Sequence, residues 1–153
     1  MPSLGGEEII MSEKLNNAKN LYIRGIQDGE IEEVLSCYMG ESYTQHSTGV
    51  GEGKEGFKAF FIDFFKRNPE RDIQIIRAIE DGDFVFLHVL QNLNDGSVKW
   101  ITMDIFRADN NGRIVEHWDN REIVPSREEL TNSGKFRYCR RINDKGNRDI
   151  IKY

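Results

Sequence analysis

Four ionisable residues interrupt segments of the sequence that are otherwise apolar: His88, Asp104, His117 and Asp119. Aspartate and histidine are side chains that commonly exchange protons with a substrate near neutral pH. Burying such a group is costly unless it is paired or hydrogen-bonded, so each one needs a structural or a chemical reason. A hydrogen-bond network that holds the strands together is one reason. A pocket with a few polar groups in an aromatic wall, typical of small-molecule sites, is the other, and four such residues on three successive strands favour it.

Strand alternation predicts which of these residues share a face, because residues two apart on a strand point to the same side. His117 and Asp119 share one face of the last strand, and Trp100 shares a face with Asp104 in the strand before it. His88 lies on the same face of its strand as Phe86. Both faces of the sheet therefore carry apolar side chains, so one is expected to meet a helix and the other is a candidate for dimerisation.

Two hydrophobic periods predict the elements that position these residues. Spacings of three and four residues indicate three helices, at 15–26, at 31–38, and around a stripe of five phenylalanines at 57, 60, 61, 64 and 65. A helix packed against a sheet explains that stripe better than a cofactor site does. Alternation from Asp72 onwards indicates four strands, near 73–79, 84–90, 98–107 and 114–121, and a further short strand is expected near Tyr43. Strands joined by tight turns form an antiparallel meander, so the sequence predicts an α+β fold.

Length and charge limit the class of protein. We expect residues 1–132 of the 153-residue chain to form a single domain, and residues 133–153 to form a basic extension that is not a separate domain. No apolar stretch approaches the ~20 residues needed to cross a membrane. The net charge is −5, and residues 135–153 carry seven basic and two acidic side chains, so the rest of the chain is acidic and disfavours nucleic acid. The first residues do not resemble a signal peptide, which predicts a cytoplasmic protein.

Three segments resemble the SnoaL-like polyketide cyclase group of the nuclear transport factor 2-like superfamily. They read YTQHSTGVGEGKEGFKAFF at 43–61, GDFVFLHV at 82–89 and DIFRADNNGRIVEHWD at 104–119. The resemblance extends from about Leu15 to Pro125. The order Tyr-x-Gln-His, Gly-x-Glu-Gly-Phe and Glu-His-Trp-Asp is fairly specific for the group, and it is much less specific for one reaction.

The resemblance implies a cone-shaped barrel, in which N-terminal helices pack in a curved, mainly antiparallel sheet, and a homodimer formed through the outer face of that sheet. It implies an intramolecular aldol condensation without metal or cofactor, with Asp119 as the acid/base residue on the last strand. Asp104 occupies a position where the cyclases carry a pocket histidine, so their mechanism does not transfer unchanged. Polar substrate contacts are implied for Tyr43, Gln45 and His46.

The residue types predict how such a pocket would react with a small hydrophobic ligand, a compact carbonyl compound. Desolvation raises the pKa of a carboxylate, which suits Asp119 for removing a proton next to a carbonyl. His46 or His88 would donate to the developing oxyanion, and His117 would orient Asp119 or move its proton. The aromatic wall of the substrate pocket is predicted from three further residues: Phe61, Trp100 and Trp118.

Other reactions remain open at this stage. A dyad of Asp104 and His88 would suit a dehydration, and double-bond isomerisation is a third reaction that the scaffold can host. A pocket that binds a ligand without reacting, or an accessory role, is the alternative outside enzymes.

Metal and phosphate sites are weaker interpretations. Four residues could hold a metal, but they lack a compact ligand spacing: His46, His88, His117 and Asp104. Glycines at 51, 53 and 56 are better explained as a turn into the phenylalanine helix than as a phosphate loop. We therefore predict no metal and no cofactor.

Overall fold

In the computed structural model, which describes residues 11–94 and 97–135, the first helix begins at Glu13, directly after its N-cap residue Ser12. The Ser12 hydroxyl caps this helix by accepting a hydrogen bond from the backbone N–H of Leu15. The chain is α-helical over Glu13–Asn20 (α1) and continues with π-helical turns over Leu21–Gln27. One α-helical turn at Ile31–Glu33 (α2) is likewise followed by π-helical turns over Val34–Tyr38.

These two helical segments cross closely because residue 25 is glycine. A Cβ at Gly25 would lie 2.5 Å from Cγ2 of Val34, inside van der Waals contact. The close crossing brings Leu21, Tyr22 and Ile26 into the core beside Val34.

The third helix, α3, spans Gly53–Arg67 and carries the phenylalanine stripe. Its N-terminus is capped by the Glu52 carboxylate, which accepts hydrogen bonds from the N–H groups of Gly53 and Gln45. Two rings of the stripe, Phe57 and Phe64, are buried, and the other three pack against the same core while partly exposed. The predicted apolar helix face is therefore confirmed.

Five strands form one sheet: β1 (Met39–Gln45), β2 (Arg71–Asp81), β3 (Phe84–Leu93), β4 (Val98–Ala108) and β5 (Ile114–Ile123). They lie in the order β1-β5-β4-β3-β2. The meander from β2 to β5 is antiparallel, and β1 pairs in parallel with β5. The α+β architecture expected from the sequence is confirmed, as a mixed sheet that does not close on itself.

Alternation along the strands gives the sheet two distinct faces. We call the side packed against the helices the inner face; it buries Val85, Leu87 and Val89 of β3 and Phe106 of β4. The opposite side is the outer face, which exposes a group of large apolar side chains: Ile79, Phe84, Phe86 and Met103.

Beyond β5 the described chain makes one 3-10 turn, Arg127–Glu129, and reaches Lys135, which pairs with Glu122. Most of the basic extension, residues 136–153, lies outside the described residues. Within the described ranges, none of the helices has both the length and the apolar character needed to cross a bilayer.

Candidate functional site

Cross-strand register gathers three of the predicted catalytic residues on the inner face. Asp104 of β4 lies directly opposite Asp119 of β5, and Phe106 lies opposite His117. One ring nitrogen of His117 and one carboxylate oxygen from each aspartate all lie within 4.8 Å of one another. The two strands thus bring two carboxylates and one imidazole together, and His117 and Asp119 line the cavity beside the fully buried Asp104.

Asp104 is the anchor of this cluster, with no side-chain surface exposed. Its Oδ1 lies 2.8 Å from Nε2 of His117, and both of its oxygens lie 2.9 Å from the Tyr22 hydroxyl. Burial raises the pKa of Tyr22 well above its usual value, and the charge of Asp104 raises it further. Tyr22 therefore keeps its proton and serves as a hydrogen-bond donor to Asp104.

On the other side of the imidazole, Gln45 sets which nitrogen of His117 carries a hydrogen. The backbone N–H of Ser47 can only donate, and it lies 3.0 Å from Oε1 of Gln45, so the amide oxygen faces it. The same oxygen lies 2.9 Å from Nδ1 of His117, while the amide nitrogen donates to the Tyr43 hydroxyl at 2.9 Å. Because an oxygen acceptor faces Nδ1, that nitrogen must be the donor.

The pair formed by His117 and Asp104 therefore shares one proton. With Nδ1 already protonated, the contact from Nε2 to Asp104 needs a second hydrogen, either on the imidazole or on the carboxylate. The ring of Phe106 stacks on His117 with centroids 4.5 Å apart and covers one face of the imidazole. The His117–Asp104 pair thus holds one proton next to the cavity, and the Asp104 side chain is shielded from bulk water.

Asp119 differs from Asp104 in its surroundings. It is half-buried, it lines the cavity, and it makes no hydrogen bond or ion pair with the part of the chain that the structure describes. A carboxylate with free lone pairs facing an aromatic wall is suited to accept a proton from a ligand.

The cavity itself lies between α3 and the inner face and has about 50 Å³ of free space. Aromatic rings make up much of its wall: Phe57, Phe60, Phe61, Phe64, Trp100 and Phe106. This space holds a few water molecules and is well below the roughly 300 Å³ or more of typical small-molecule sites. A carbonyl compound can enter only if some of these rings, such as the partly exposed Phe60 and Phe61, move aside.

Three predicted site residues are not part of this cavity, and alternation is the reason. His46, His88 and Trp118 each lie next in sequence to an inward-facing residue, so they project from the outer face. His46 stacks on Trp118, with ring centroids 4.8 Å apart and planes at 6°. The prediction that His46 or His88 donates to an oxyanion beside Asp119, and that Trp118 forms the pocket wall, is wrong for this geometry.

His88 is held by different partners from those expected. Its Nδ1 lies 2.9 Å from Arg77, and its Nε2 is buried without a hydrogen-bond partner. Burial, followed by the charge of Arg77, lowers the pKa of His88 from its usual value, so the neutral imidazole is favoured. The sheet lies between His88 and Asp104, so the predicted dehydration dyad does not form.

The remaining predicted residues lie near the cavity in two ways. Three of them line it directly: Phe61, Trp100 and Gln45. Tyr43 does not line the cavity, but its hydroxyl accepts a hydrogen bond from the side chain of Gln45. Tyr43 is buried, which raises its pKa, so its hydroxyl stays protonated.

Sequence reasoning missed five polar residues of the lining: Tyr22, Ser47, Gln91, Thr102 and Arg121. Tyr22 lies at helical spacing among apolar residues, and Thr102 lies within a largely apolar strand, so neither local pattern marks a site residue. Both lie within hydrogen-bond distance of each other, at 3.3 Å, and Tyr22 also contacts Asp104. The sequence around Tyr22 does not show that its hydroxyl belongs to a site, because the hydrogen-bond partner of that hydroxyl comes from a distant strand.

The site also bears on the metal and phosphate interpretations. Among the described residues, the group that could hold a metal is Asp104, His117 and Asp119, which differs from the set considered in the sequence. Both ring nitrogens of His117 already have hydrogen-bond partners, so an ion would have to displace one of them. Gly51 packs against Gly56 so tightly that a Cβ at Gly56 would lie 2.1 Å from the Gly51 carbonyl carbon, which explains these glycines by packing.

Comparison with known proteins identifies a shared domain and a shared fold. The family described as SnoaL-like domain matches residues 20–117. No curated protein matches the sequence. IdmH, a proposed polyketide cyclase from Streptomyces antibioticus, is 17% identical with a TM-score of 0.62, and the match covers 72% of this chain and 93% of that one.

Two further solved structures show the same architecture. A proposed polyketide cyclase from Bacillus cereus ATCC 10987 is 22% identical with a TM-score of 0.64, over 72% of this chain and 74% of that one. AclR, a proposed hydroxylase from Streptomyces galilaeus, is 14% identical with a TM-score of 0.60, over 74% of this chain and 91% of that one. At these identities the likeness establishes the fold alone, and the differing names show that the fold does not specify one reaction.

Proposed function

Since the chain belongs to the SnoaL-like domain family, we propose that it binds a compact apolar carbonyl compound and performs acid/base chemistry of the aldol type at Asp119. The observation that carries this proposal is the convergence of Asp119, His117 and Asp104 at one end of an aromatic cavity. The proposed reaction uses only these side chains and needs no metal or cofactor.

In the proposed first step, the Asp119 carboxylate removes a proton from the carbon next to the ligand's carbonyl group. The C–H bond breaks, an O–H bond forms on Asp119, and the electron pair moves onto the carbonyl oxygen as an enolate. The enolate carbon then attacks a second carbonyl carbon of the same ligand, and the resulting alkoxide takes a proton back from Asp119. Atoms and charge balance within the ligand, and Asp119 returns to its carboxylate form.

The His117–Asp104 pair supports this step by placing a shared proton beside the developing negative charge. Preorganised dipoles in a poorly solvated site stabilise an oxyanion far more than they would in water. Gln45 and Tyr22 hold the pair from both ends, so the imidazole need not reorient as charge develops. Asp104 and Asp119 thus have different roles, because one is locked in hydrogen bonds and the other is free.

Deuterium exchange tests this proposal without knowledge of the natural ligand. In D2O the protein is expected to catalyse exchange of the methyl protons of acetophenone, a compact aryl ketone, followed by proton NMR. The substitution Asp119→Asn keeps the side-chain shape and removes the base, so exchange is expected to fall by about 100-fold or more while ketone binding persists.

Asp63→Asn, on the exposed side of α3, is the matched control and should leave exchange unchanged. Exchange that is equal in the parent and in Asp119→Asn would contradict the role of Asp119. Ketone binding without any exchange in the parent protein would instead favour the non-catalytic ligand-binding alternative.

We also propose that the protein forms a homodimer through the outer face. Ile79 is 59% exposed, Phe86 42% and Met103 45%, and register places all three on this one face. Exposed apolar side chains grouped on one sheet face are typical of interfaces between copies of a chain.

Analytical ultracentrifugation of the full chain tests the dimer. Phe86→Glu is expected to give a folded monomer, because it places a charge in the centre of the apolar group. Ile62→Glu is the matched control, since Ile62 is 43% exposed on α3, away from this face, and its substitution should leave the dimer intact. A parent protein that sediments as a monomer at micromolar concentration would contradict the proposal.

A further inference from the structure

Arg121 is a charged residue of the cavity lining that the proposed mechanism does not use. It follows Asp119 by two positions on β5, so the two side chains project from the same face of the strand. Its guanidinium carbon lies 4.1 Å from the centroid of the Trp100 ring, which itself forms part of the cavity wall. The arginine therefore stands at the exposed end of the cavity, stacked on its aromatic wall.

Among the residues that the structure describes, no carboxylate lies close enough to neutralise this arginine. Within residues 11–94 and 97–135, Arg121 forms neither an ion pair nor a hydrogen bond, whereas Arg24, Arg67 and Arg107 all pair with acidic side chains. Even Asp119, the acidic group two positions before it, is not within the 4.0 Å of an ion pair. An arginine fixed beside a cavity and left without an anion has its donors available for a ligand.

The contact with Trp100 also leaves donors available. The guanidinium carbon lies over the indole at the distance of a cation–π contact, 4.1 Å from its centroid, and this contact uses none of the N–H groups as a hydrogen-bond donor to a protein oxygen. The planar fork of N–H groups matches a carboxylate, which accepts two parallel hydrogen bonds from it. Trp100 thus holds the guanidinium of Arg121 in place and reduces the loss of conformational entropy on ligand binding.

We infer that the ligand of this site carries a carboxylate that is bound by Arg121, with its carbonyl group directed toward Asp119 and His117. The inference rests on the proposed function for the placement of the carbonyl. A strand rises by about 3.4 Å per residue, so the carboxylate lies roughly 7 Å along the strand from the carbon that loses a proton. The substrate class is therefore an apolar keto acid rather than a neutral ketone.

A pair of probes that differ only in this charge tests the inference: 6-oxo-6-phenylhexanoate and its methyl ester. Affinities are measured by isothermal titration calorimetry, and proton exchange at the carbon next to the ketone is followed by NMR in D2O. The parent protein is expected to bind the acid roughly tenfold or more tightly than the ester, as one charge-assisted interaction would give.

Arg121→Gln is expected to abolish the preference for the acid, and Arg121→Lys to retain only part of it, because lysine keeps the charge and loses the planar fork. Arg127→Gln, an exposed arginine outside the cavity, removes the same charge and should leave the preference intact. Equal binding of acid and ester by the parent, a preference that survives Arg121→Gln, or binding of neither probe would overturn the inference.

The two readouts separate this inference from the proposed function. Exchange in both probes with no preference for the acid would overturn the carboxylate site and leave the role of Asp119 standing. A preference that depends on Arg121, without exchange in either probe, would support the carboxylate site and contradict the catalytic role of Asp119.

Discussion

Replacing Asp104 by leucine is expected to be one of the most destabilising single changes in this protein. The Asp104 side chain is fully buried and accepts hydrogen bonds from Tyr22 at 2.9 Å and from His117 at 2.8 Å. Leucine is similar in size, so packing changes little, but it leaves the Tyr22 hydroxyl and one nitrogen of His117 buried near an apolar group. Removing one partner of a buried pair costs about 3–5 kcal/mol.

The isosteric change Asp104→Asn should cost less, and the structure indicates why. An asparagine oxygen can still accept from Tyr22, and its amide can donate to Nε2 of a neutral His117. All contacts are then retained, but the charge-assisted bonds become neutral ones. That change amounts to about 1–1.5 kcal/mol for each of the two partners, or about 2–3 kcal/mol in total, because a charged hydrogen bond contributes about 1.5–3 kcal/mol and a neutral one about 0.5–1.5.

Urea unfolding of the parent, Asp104→Asn, Asp104→Leu and the double variant Asp104→Leu with His117→Leu measures these differences. The double variant should be more stable than Asp104→Leu alone, because it removes the uncompensated imidazole together with its partner. A loss of less than about 1 kcal/mol for Asp104→Leu, with unchanged m value, would refute the hydrogen-bonded pair as described here.

Three further changes follow from the geometry. The pKa of His88 is lowered from 6.5 in the folded state, so the unfolded chain takes up a proton at a higher pH than the folded chain does. Stability therefore falls as the pH drops below about 6.5, and His88→Gln should flatten this part of a pH series of unfolding midpoints. Phe61→Ala should cost about 1–3 kcal/mol of stability because the ring is partly exposed, and it should tighten acetophenone binding in calorimetry by enlarging the cavity. Gly56→Ala should lower the thermal unfolding midpoint, since its Cβ would lie 2.1 Å from Gly51.

Local patterns in the sequence were sufficient for the order of elements and for part of the site. The phenylalanine stripe and the alternation after Asp72 depend only on neighbouring residues, and both correspond to elements of the structure. Alternation within one strand also predicted that His117 and Asp119 share a face, which register with Asp104 confirms.

The errors concern relations between elements. His88 was grouped with Asp104 because both interrupt apolar strands, but the strand of His88 is apolar on both faces, so its pattern does not say which face is inner. Cross-strand pairing decides this: Leu87 lies opposite Asp104, and His88 lies opposite Met103. The parallel pairing of β1 with β5 likewise joins segments about 70 residues apart and has no local signal.

The same reason explains why the partners of the site were not predicted. Tyr22 comes from the first helical segment, and Gln45 from a strand near the start of the chain. Their hydrogen bonds to Asp104 and His117 exist only because the fold brings them together. Residue type predicted the reactive groups, and tertiary structure determines the residues that orient them.

Gln45 and Asp104 hold His117 with a hydrogen on Nδ1 and a shared proton at Nε2, beside Asp119, whose carboxylate bonds to no other described residue. Nitrogen-15 NMR of the imidazole rings tests this arrangement most directly, because the chain has only three histidines. His117→Gln assigns the resonances by loss of one set. We predict an Nδ1 of His117 that carries a hydrogen and remains protonated in Gln45→Glu, where an oxygen acceptor is kept. An Nδ1 without a hydrogen in the parent protein would contradict the account.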